Sequence, residues 1–136
     1  MEKIVFLDRD GTINEEVNYL HRTEDLKFLP GVPEALRLLK EAGFKLVVVT
    51  NQAGVARGYY TCADVEHLHA YMNEELKKYG AEIDAFYYCP HHPVHGIGIY
   101  KKVCQCRKPG TGMFLQAEER FRIDKAHSYM IGDKLL

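Results

Sequence analysis

Lys3–Asn14 reads KIVFLDRDGTIN, and the rest of the chain is arranged around it. Its apolar run, Ile4-Val5-Phe6-Leu7, is bounded by charge and glycine and predicts a short buried strand. The run ends in Asp8 and Asp10, one residue apart, with Gly11 and Thr12 directly behind. Extended backbone alternates its side chains, so the two carboxylates face the same way. Neighbouring carboxylates repel unless a positive charge sits between them or one takes a proton. A divalent cation resolves the conflict, and all-oxygen ligation favours magnesium. Asp-x-Asp at the carboxyl end of a strand therefore predicts a magnesium-assisted site at the rim of an α/β sheet. The plainer alternative is a polar turn, since Asp, Gly and Thr are ordinary turn residues.

Downstream, 14–29 lacks sustained periodicity and reads as a loop or small flap. Pro30-Gly31 punctuates. Val32, Ala35, Leu36, Leu39 and Ala42 then recur at helical spacing, and Gly43 closes that helix. Lys45–Val49, KLVVV, predicts a second buried strand, reached by a right-handed crossover. It ends in Thr50-Asn51-Gln52, whose hydroxyl and amides can donate to an oxyanion or form a common turn. Ala53–Tyr60, AGVARGYY, reads as a mobile loop beside the site, with Arg57 either solvated or meeting a second phosphate. Thr61 and Asp64 have capping-box spacing. They precede a helical stripe of Val65, Leu68, Met72, Leu76 and Tyr79, which Gly80 ends. His67 and His69 fall on different helix faces and are not a ligand pair. Ile83–Tyr88 predicts a third strand. Gly112–Phe121 predicts a helix with Met113, Phe114, Ala117 and Phe121 inward. Ala126–Ile131 predicts a fourth strand, ending in Gly132-Asp133-Lys134. Asp133 is thus a third carboxylate at a strand end, suited to completing a magnesium site with Asp8 and Asp10.

Three of the four cysteines cluster: Cys89-Pro90-His91 is followed, twelve residues on, by Cys104-Gln105-Cys106. Three thiolates and an imidazole are the donor set of a closed, tetrahedral zinc site. The intervening segment, with Pro93, Gly96 and Gly98, holds little apolar material, so coordination would supply its ordering free energy. A redox pair at Cys104 and Cys106, or chance, are the alternatives. His92 and His95 are spare candidates, and Cys62 stands apart as a plain thiol. Directly after the cluster come Arg107 and Lys108, two cations placed as phosphoryl transfer needs them, or else a basic turn before a helix.

A chain of 136 residues predicts one domain, 1–136, with a real core. Hydrophobic residues make up 46% and charged residues 27%, as in globular proteins. With 18 basic and 19 acidic residues the net charge is −1, which argues against a broad nucleic-acid or membrane footprint. No stretch approaches a membrane span and no signal-peptide pattern precedes the first strand, so a cytoplasmic monomer is expected.

DRDGT resembles the first motif of the haloacid dehalogenase superfamily of phosphatases, and DRDGTIN with its surroundings resembles the branch that dephosphorylates heptose bisphosphate or histidinol phosphate. The resemblance extends over essentially the whole chain. It implies a Rossmann-like, doubly wound parallel sheet in order 3-2-1-4, with no separate cap domain and a zinc-binding loop. It implies Asp8 as nucleophile, Asp10 as general acid/base, and Thr50 and Lys108 as phosphoryl-stabilising groups. It assigns catalytic Mg2+ to Asp8, Asp10 and Asp133, and structural Zn2+ to Cys89, His91, Cys104 and Cys106. Substrate contacts carry over to Glu16, Val17, Asn18, Tyr19, Asn51, Gln52, Ala53, Arg107 and Lys134. The implied substrate is a small phosphorylated sugar, foremost the C7 phosphate of D-glycero-D-manno-heptose 1,7-bisphosphate, with histidinol phosphate as alternative. The family pattern has a second acid after Asp133, then a fifth strand and a helix, where this chain has Leu135-Leu136. That departure makes a truncated form an expectation, and an inactive zinc-stabilised binding module or a phosphoacceptor switch the readings from other classes.

Overall fold

The computed structural model describes residues 1–108 and 110–132. Strand β1 is Ile4–Leu7, and all four residues are buried. It lies between β2, Lys45–Asn51, and β4, Tyr129–Ile131, and pairs parallel with both. β3, Ala85–Cys89, pairs parallel with β2, so the sheet order is β3-β2-β1-β4, as the resemblance implies. Helix α1 is Val32–Glu41, α2 is Ala53–Ala56, α3 is Cys62–Lys77 and α4 is Gly112–Arg120.

Alternation along β1 builds two cores, one on each face of the sheet. Val5 and Leu7 join Leu46 and Val48 against Leu36 of α1 and Met72 and Leu76 of α3. Ile4 and Phe6 join Val47 and Val49 against Met113 and Ala117 of α4 and against Phe121. Helices therefore cover both faces, which explains the unbroken apolar runs of β1 and β2. Parallel strands also bring all their carboxyl ends to one rim. Asp8 comes directly after β1, Thr50 and Asn51 close β2, and Cys89 closes β3. The Gln52 N–H donates to the Cys89 carbonyl at 2.8 Å, tying two of these ends together.

Several boundaries differ from the expectation. Leu36 of the first helical stripe is buried as expected, but Ala35 and Ala42 are exposed and Pro33 is buried, because only a narrow arc of α1 faces the sheet. Tyr79 lies beyond the end of α3 and is exposed. β3 begins at Ala85, not at Ile83, because the Asn73 side chain claims Ile83, accepting from its N–H at 2.7 Å and donating to its carbonyl at 3.2 Å. Ala126 belongs to a 3-10 turn, Lys125–His127, so β4 is half the expected length. The stretch 53–60 is not wholly a loop. Its first four residues are α2, and a Cβ on Gly54 would collide with the Tyr60 ring that packs against it. The capping box forms as expected: Thr61 Oγ1 accepts from the Asp64 N–H at 3.1 Å, and Asp64 Oδ2 accepts from the Thr61 N–H at 2.9 Å.

Candidate active site

The site starts from Asp8. Its side chain is 19% exposed, and that of Lys108 2%; Lys108 Nζ lies 3.2 Å from Asp8 Oδ2. The same ammonium donates to the Val49 carbonyl at 3.0 Å, and the Arg9 N–H donates to Asp8 Oδ1 at 2.8 Å. A buried cation thus stands against a carboxylate that solvent can still reach, which is the arrangement an anionic substrate needs.

Asp10 has a cation of its own. Arg9, the residue between the two aspartates, is fully buried and forks onto Asp10, with Nε to Oδ1 at 2.9 Å and Nη2 to Oδ2 at 3.1 Å. Asn14 Nδ2 donates to Oδ1 at 3.1 Å and Gln52 Nε2 to Oδ2 at 3.3 Å. The expected repulsion between Asp8 and Asp10 is therefore relieved first by two protein cations, Lys108 and Arg9. No sequence signal short of parity pointed to Arg9. Its odd position, between side chains that face the rim, turns it back toward the helices.

Behind Arg9 is a buried polar group. Gln52 Oε1 accepts from Tyr60 Oη at 2.7 Å and from Arg9 Nη2 at 3.3 Å, and its Nε2 also donates to Thr50 Oγ1 at 3.0 Å. His69 Nε2 lies 3.2 Å from Arg9 Nη1. Burial, then the Arg9 charge, pushes His69 down to about 3 from its ordinary 6.5. Burial pushes the Tyr60 hydroxyl up to about 12, so it remains a donor.

The residues expected at the substrate divide. Asn51 turns to Lys108: its Oδ1 accepts from the Lys108 N–H at 2.8 Å, and its Nδ2 donates to the Lys108 carbonyl at 3.2 Å. Gln52 is buried, with both ends of its amide committed to Thr50, Asp10, Arg9 and Tyr60. Glu16, Val17 and Asn18 are exposed, and Ala53 is half-buried at the start of α2. Tyr19 has φ +57°, a left-handed backbone rare outside glycine. Its ring meets the Tyr59 ring edge-on at 4.8 Å, with the Arg57 guanidinium 5.9 Å away. Arg57 is half-buried, not solvated, and its Nε has no hydrogen-bond partner among the described residues. The same holds for the buried Nη1 of Arg107. Asp133 and Lys134 lie outside the described residues.

The thiols and imidazole expected to bind metal do come together. Cys89 Sγ is 3.3 Å from Cys104 Sγ, which is 3.1 Å from Cys106 Sγ, and His91 Nδ1 is 3.3 Å from Cys106 Sγ. All four donor atoms lie within 4.8 Å of one another, and the cysteines are free. Three sulfurs and one nitrogen converging without a disulfide form a cluster that could hold a metal ion. Beyond it the chain doubles back, with the Gly112 N–H donating to the Gln105 carbonyl at 2.8 Å. A Cβ at Gly112 would strike the Cys106 backbone, so only glycine permits this approach. The turn delivers Lys108 to Asp8.

Residues 3–135 match the family described as polynucleotide kinase 3 phosphatase. The chain belongs to that family. It is thereby placed among phosphatases of haloacid dehalogenase-like fold. It is 50% identical over 131 residues to the D-glycero-beta-D-manno-heptose-1,7-bisphosphate 7-phosphatase of Escherichia coli O6:H1, covering 96% of this chain and 69% of that protein. The enzyme of the same name from Haemophilus ducreyi is 49% identical over 135 residues, covering 98% of this chain and 74% of that one. Among solved structures, a HAD-like phosphatase of Mesorhizobium loti superposes with TM-score 0.91 at 34% identity, over 98% of this chain and 64% of that chain. The D,D-heptose 1,7-bisphosphate phosphatase of B. bronchiseptica, complexed with magnesium and phosphate, gives TM-score 0.84 at 34% identity, over 98% and 71%. The chain thus spans roughly two thirds to three quarters of the length of these relatives. Among the described residues no helix is long and apolar enough to cross a membrane.

Proposed function

We propose that the chain hydrolyses a sugar phosphomonoester through an aspartyl-phosphate on Asp8, and that its substrate is D-glycero-D-manno-heptose 1,7-bisphosphate, cleaved at C7. The observation that carries the chemistry is the reachable Asp8 carboxylate with the Lys108 ammonium 3.2 Å away, beside a second carboxylate, Asp10. In the first step an Asp8 oxygen attacks phosphorus, the bond from phosphorus to the sugar oxygen breaks, and Asp10 gives that oxygen a proton. In the second, water attacks phosphorus, Asp10 takes back a proton, and phosphate leaves with Asp8 restored. Lys108 and Thr50 stabilise the transferring group.

Reachable hard carboxylate oxygens on Asp8 fit magnesium, with Asp133 and Asp10 as the other ligands; Asp10 offers its side chain only by releasing one of its donors. When bound, magnesium neutralises charge on the transferring phosphoryl group. The Cys89–His91–Cys104–Cys106 set matches zinc in donor chemistry and would hold the loop that carries Arg107 and Lys108. The names of the relatives support the substrate, and Nη1 of Arg107, unpartnered among the described residues, supports a second anionic group on it. The test is phosphate release with magnesium from the heptose bisphosphate and from histidinol phosphate. Turnover should require Asp8, prefer the bisphosphate and vanish in Asp8→Asn. Release that survives that change would sink the assignment.

A further inference from the structure

We propose that Arg9 is the positioning residue of the acid/base carboxylate, aiming Asp10 at the leaving oxygen, and that neutral His69 in turn aims Arg9. The inference rests on the acid/base reading of Asp10 given under the proposed function.

The geometry is a relay of fixed groups. The His69 ring is stacked on Phe86 of β3, with centroids 4.6 Å apart and planes 18° apart, and meets Tyr88 edge-on at 6.1 Å. Its Nε2 faces Arg9 Nη1 at 3.2 Å. A guanidinium only donates, so this imidazole nitrogen must be the acceptor, and the ring proton sits on Nδ1. His69 is therefore neutral in this arrangement and holds one arm of the guanidinium. The Leu20 carbonyl, accepting from Nη2 at 3.2 Å, holds another. Nη2 also faces Gln52 Oε1 at 3.3 Å, and through Nε and Nη2 the guanidinium presents a two-pronged face on which Asp10 lies through both oxygens.

Counting donors shows what holds Asp10. A carboxylate offers about four acceptor positions. Among the described residues Asp10 has four donors: Arg9 Nε and Asn14 on Oδ1, Arg9 Nη2 and Gln52 on Oδ2. The Gln52 contact is the longest, at 3.3 Å, and Gln52 has other partners in Thr50 and Tyr60. The Arg9 fork supplies two of the four contacts, including the shortest, so Arg9 sets the plane in which the Asp10 carboxyl lies.

Mere charge balance in the interior would make different demands. An aimed acid matters only where the leaving oxygen needs a proton, as a sugar alkoxide does and 4-nitrophenolate does not. The test is single-turnover release of the leaving group from the heptose bisphosphate and from 4-nitrophenyl phosphate. Arg9→Lys keeps the charge and loses the fork. It should slow release of the sugar at least about ten-fold, part of the 10²–10⁴-fold typical of general acid–base catalysis, while nitrophenolate release changes about three-fold or less. His69→Leu should show the same selective loss in weaker form, and His69→Gln, whose side-chain oxygen can accept from Nη1, should restore it. The His69 pair decides the question if Arg9→Lys does not fold. Equal losses with both substrates, or none with either, would overturn the inference. Wild-type turnover indifferent to Asp8→Asn would overturn the phosphatase reading and this inference with it.

Discussion

Asn51→Ala separates two roles that the same residue could play. If Asn51 bound substrate, its loss would weaken substrate binding. Its side chain instead closes a two-bond latch on the Lys108 backbone, at 2.8 and 3.2 Å. Two such bonds contribute about 1–3 kcal/mol together, at about 0.5–1.5 each. Lys108 would then no longer be held with Nζ 3.2 Å from Asp8. Losing one hydrogen bond to a charged group costs about 1.5–3 kcal/mol, and each 1.36 kcal/mol is a factor of ten in rate. The expected result is a fall in kcat of roughly ten- to one-hundred-fold, with KM little changed, and a fold destabilised by about 1–3 kcal/mol. Steady-state kinetics with the heptose bisphosphate and urea denaturation read both quantities. A raised KM with unchanged kcat would refute the latch and return Asn51 to the substrate.

The same geometry fixes three further outcomes. Because His69 is held near 3 in the fold and titrates near 6.5 when unfolded, the unfolded chain alone takes up this proton as pH falls from 6.5. Stability is then lost on acidification, by at most about 1.4 kcal/mol per pH unit. His69→Gln should remove about 2 kcal/mol of the difference in urea stability between pH 7.5 and pH 5; parallel pH profiles of wild type and variant would contradict this. Stripping metal from the cysteine cluster with a strong thiol-metal chelator should lower both the melting temperature and phosphate release, and added magnesium should not restore either, since the turn from Cys106 to Lys108 loses its anchor. Full activity of a demonstrably zinc-free sample would contradict it. Gly54→Ala should cost about 1–3 kcal/mol by overpacking against Tyr60, and should slow turnover by displacing the Tyr60 hydroxyl from Gln52, where it now sits at 2.7 Å; an unchanged melting temperature would refute the contact.

The sheet and the rim were legible because their signals are periodic or punctuated. The apolar runs at Ile4–Leu7 and Lys45–Val49 mark the two central strands, and the polar residues directly after each run land at the carboxyl rim. The cysteine–histidine spacing was legible because few other arrangements use it. The network behind Asp10 was not. Arg9 has no signal in the sequence beyond its parity, which turns it inward between two acids that face the rim. His69 does carry a signal: with Met72 and Leu76 it sits at i, i+3 and i+7 on the buried face of α3. Gln52 and Tyr60 have none, since they meet through the turn after β2, where no periodicity operates. Tyr79 and Ala35 fail in the opposite way, being apolar residues in register that the narrow contact arc leaves in water.

The strand order has a consequence for how the chain is made. Among the described residues, the groups that hold Asp10, from Arg9 and Asn14 to Gln52, Tyr60 and His69, are all translated before β3 is complete. β1 can by then be paired on one side only, with β2. Its other edge waits for β4, and one face of the sheet waits for α4. A nascent chain therefore assembles the Asp10 half of the site early while displaying an unpaired apolar strand edge, the kind of surface on which chains aggregate. The other half, Lys108 on the turn that follows the cysteine cluster, arrives later in synthesis, together with the elements that close the sheet.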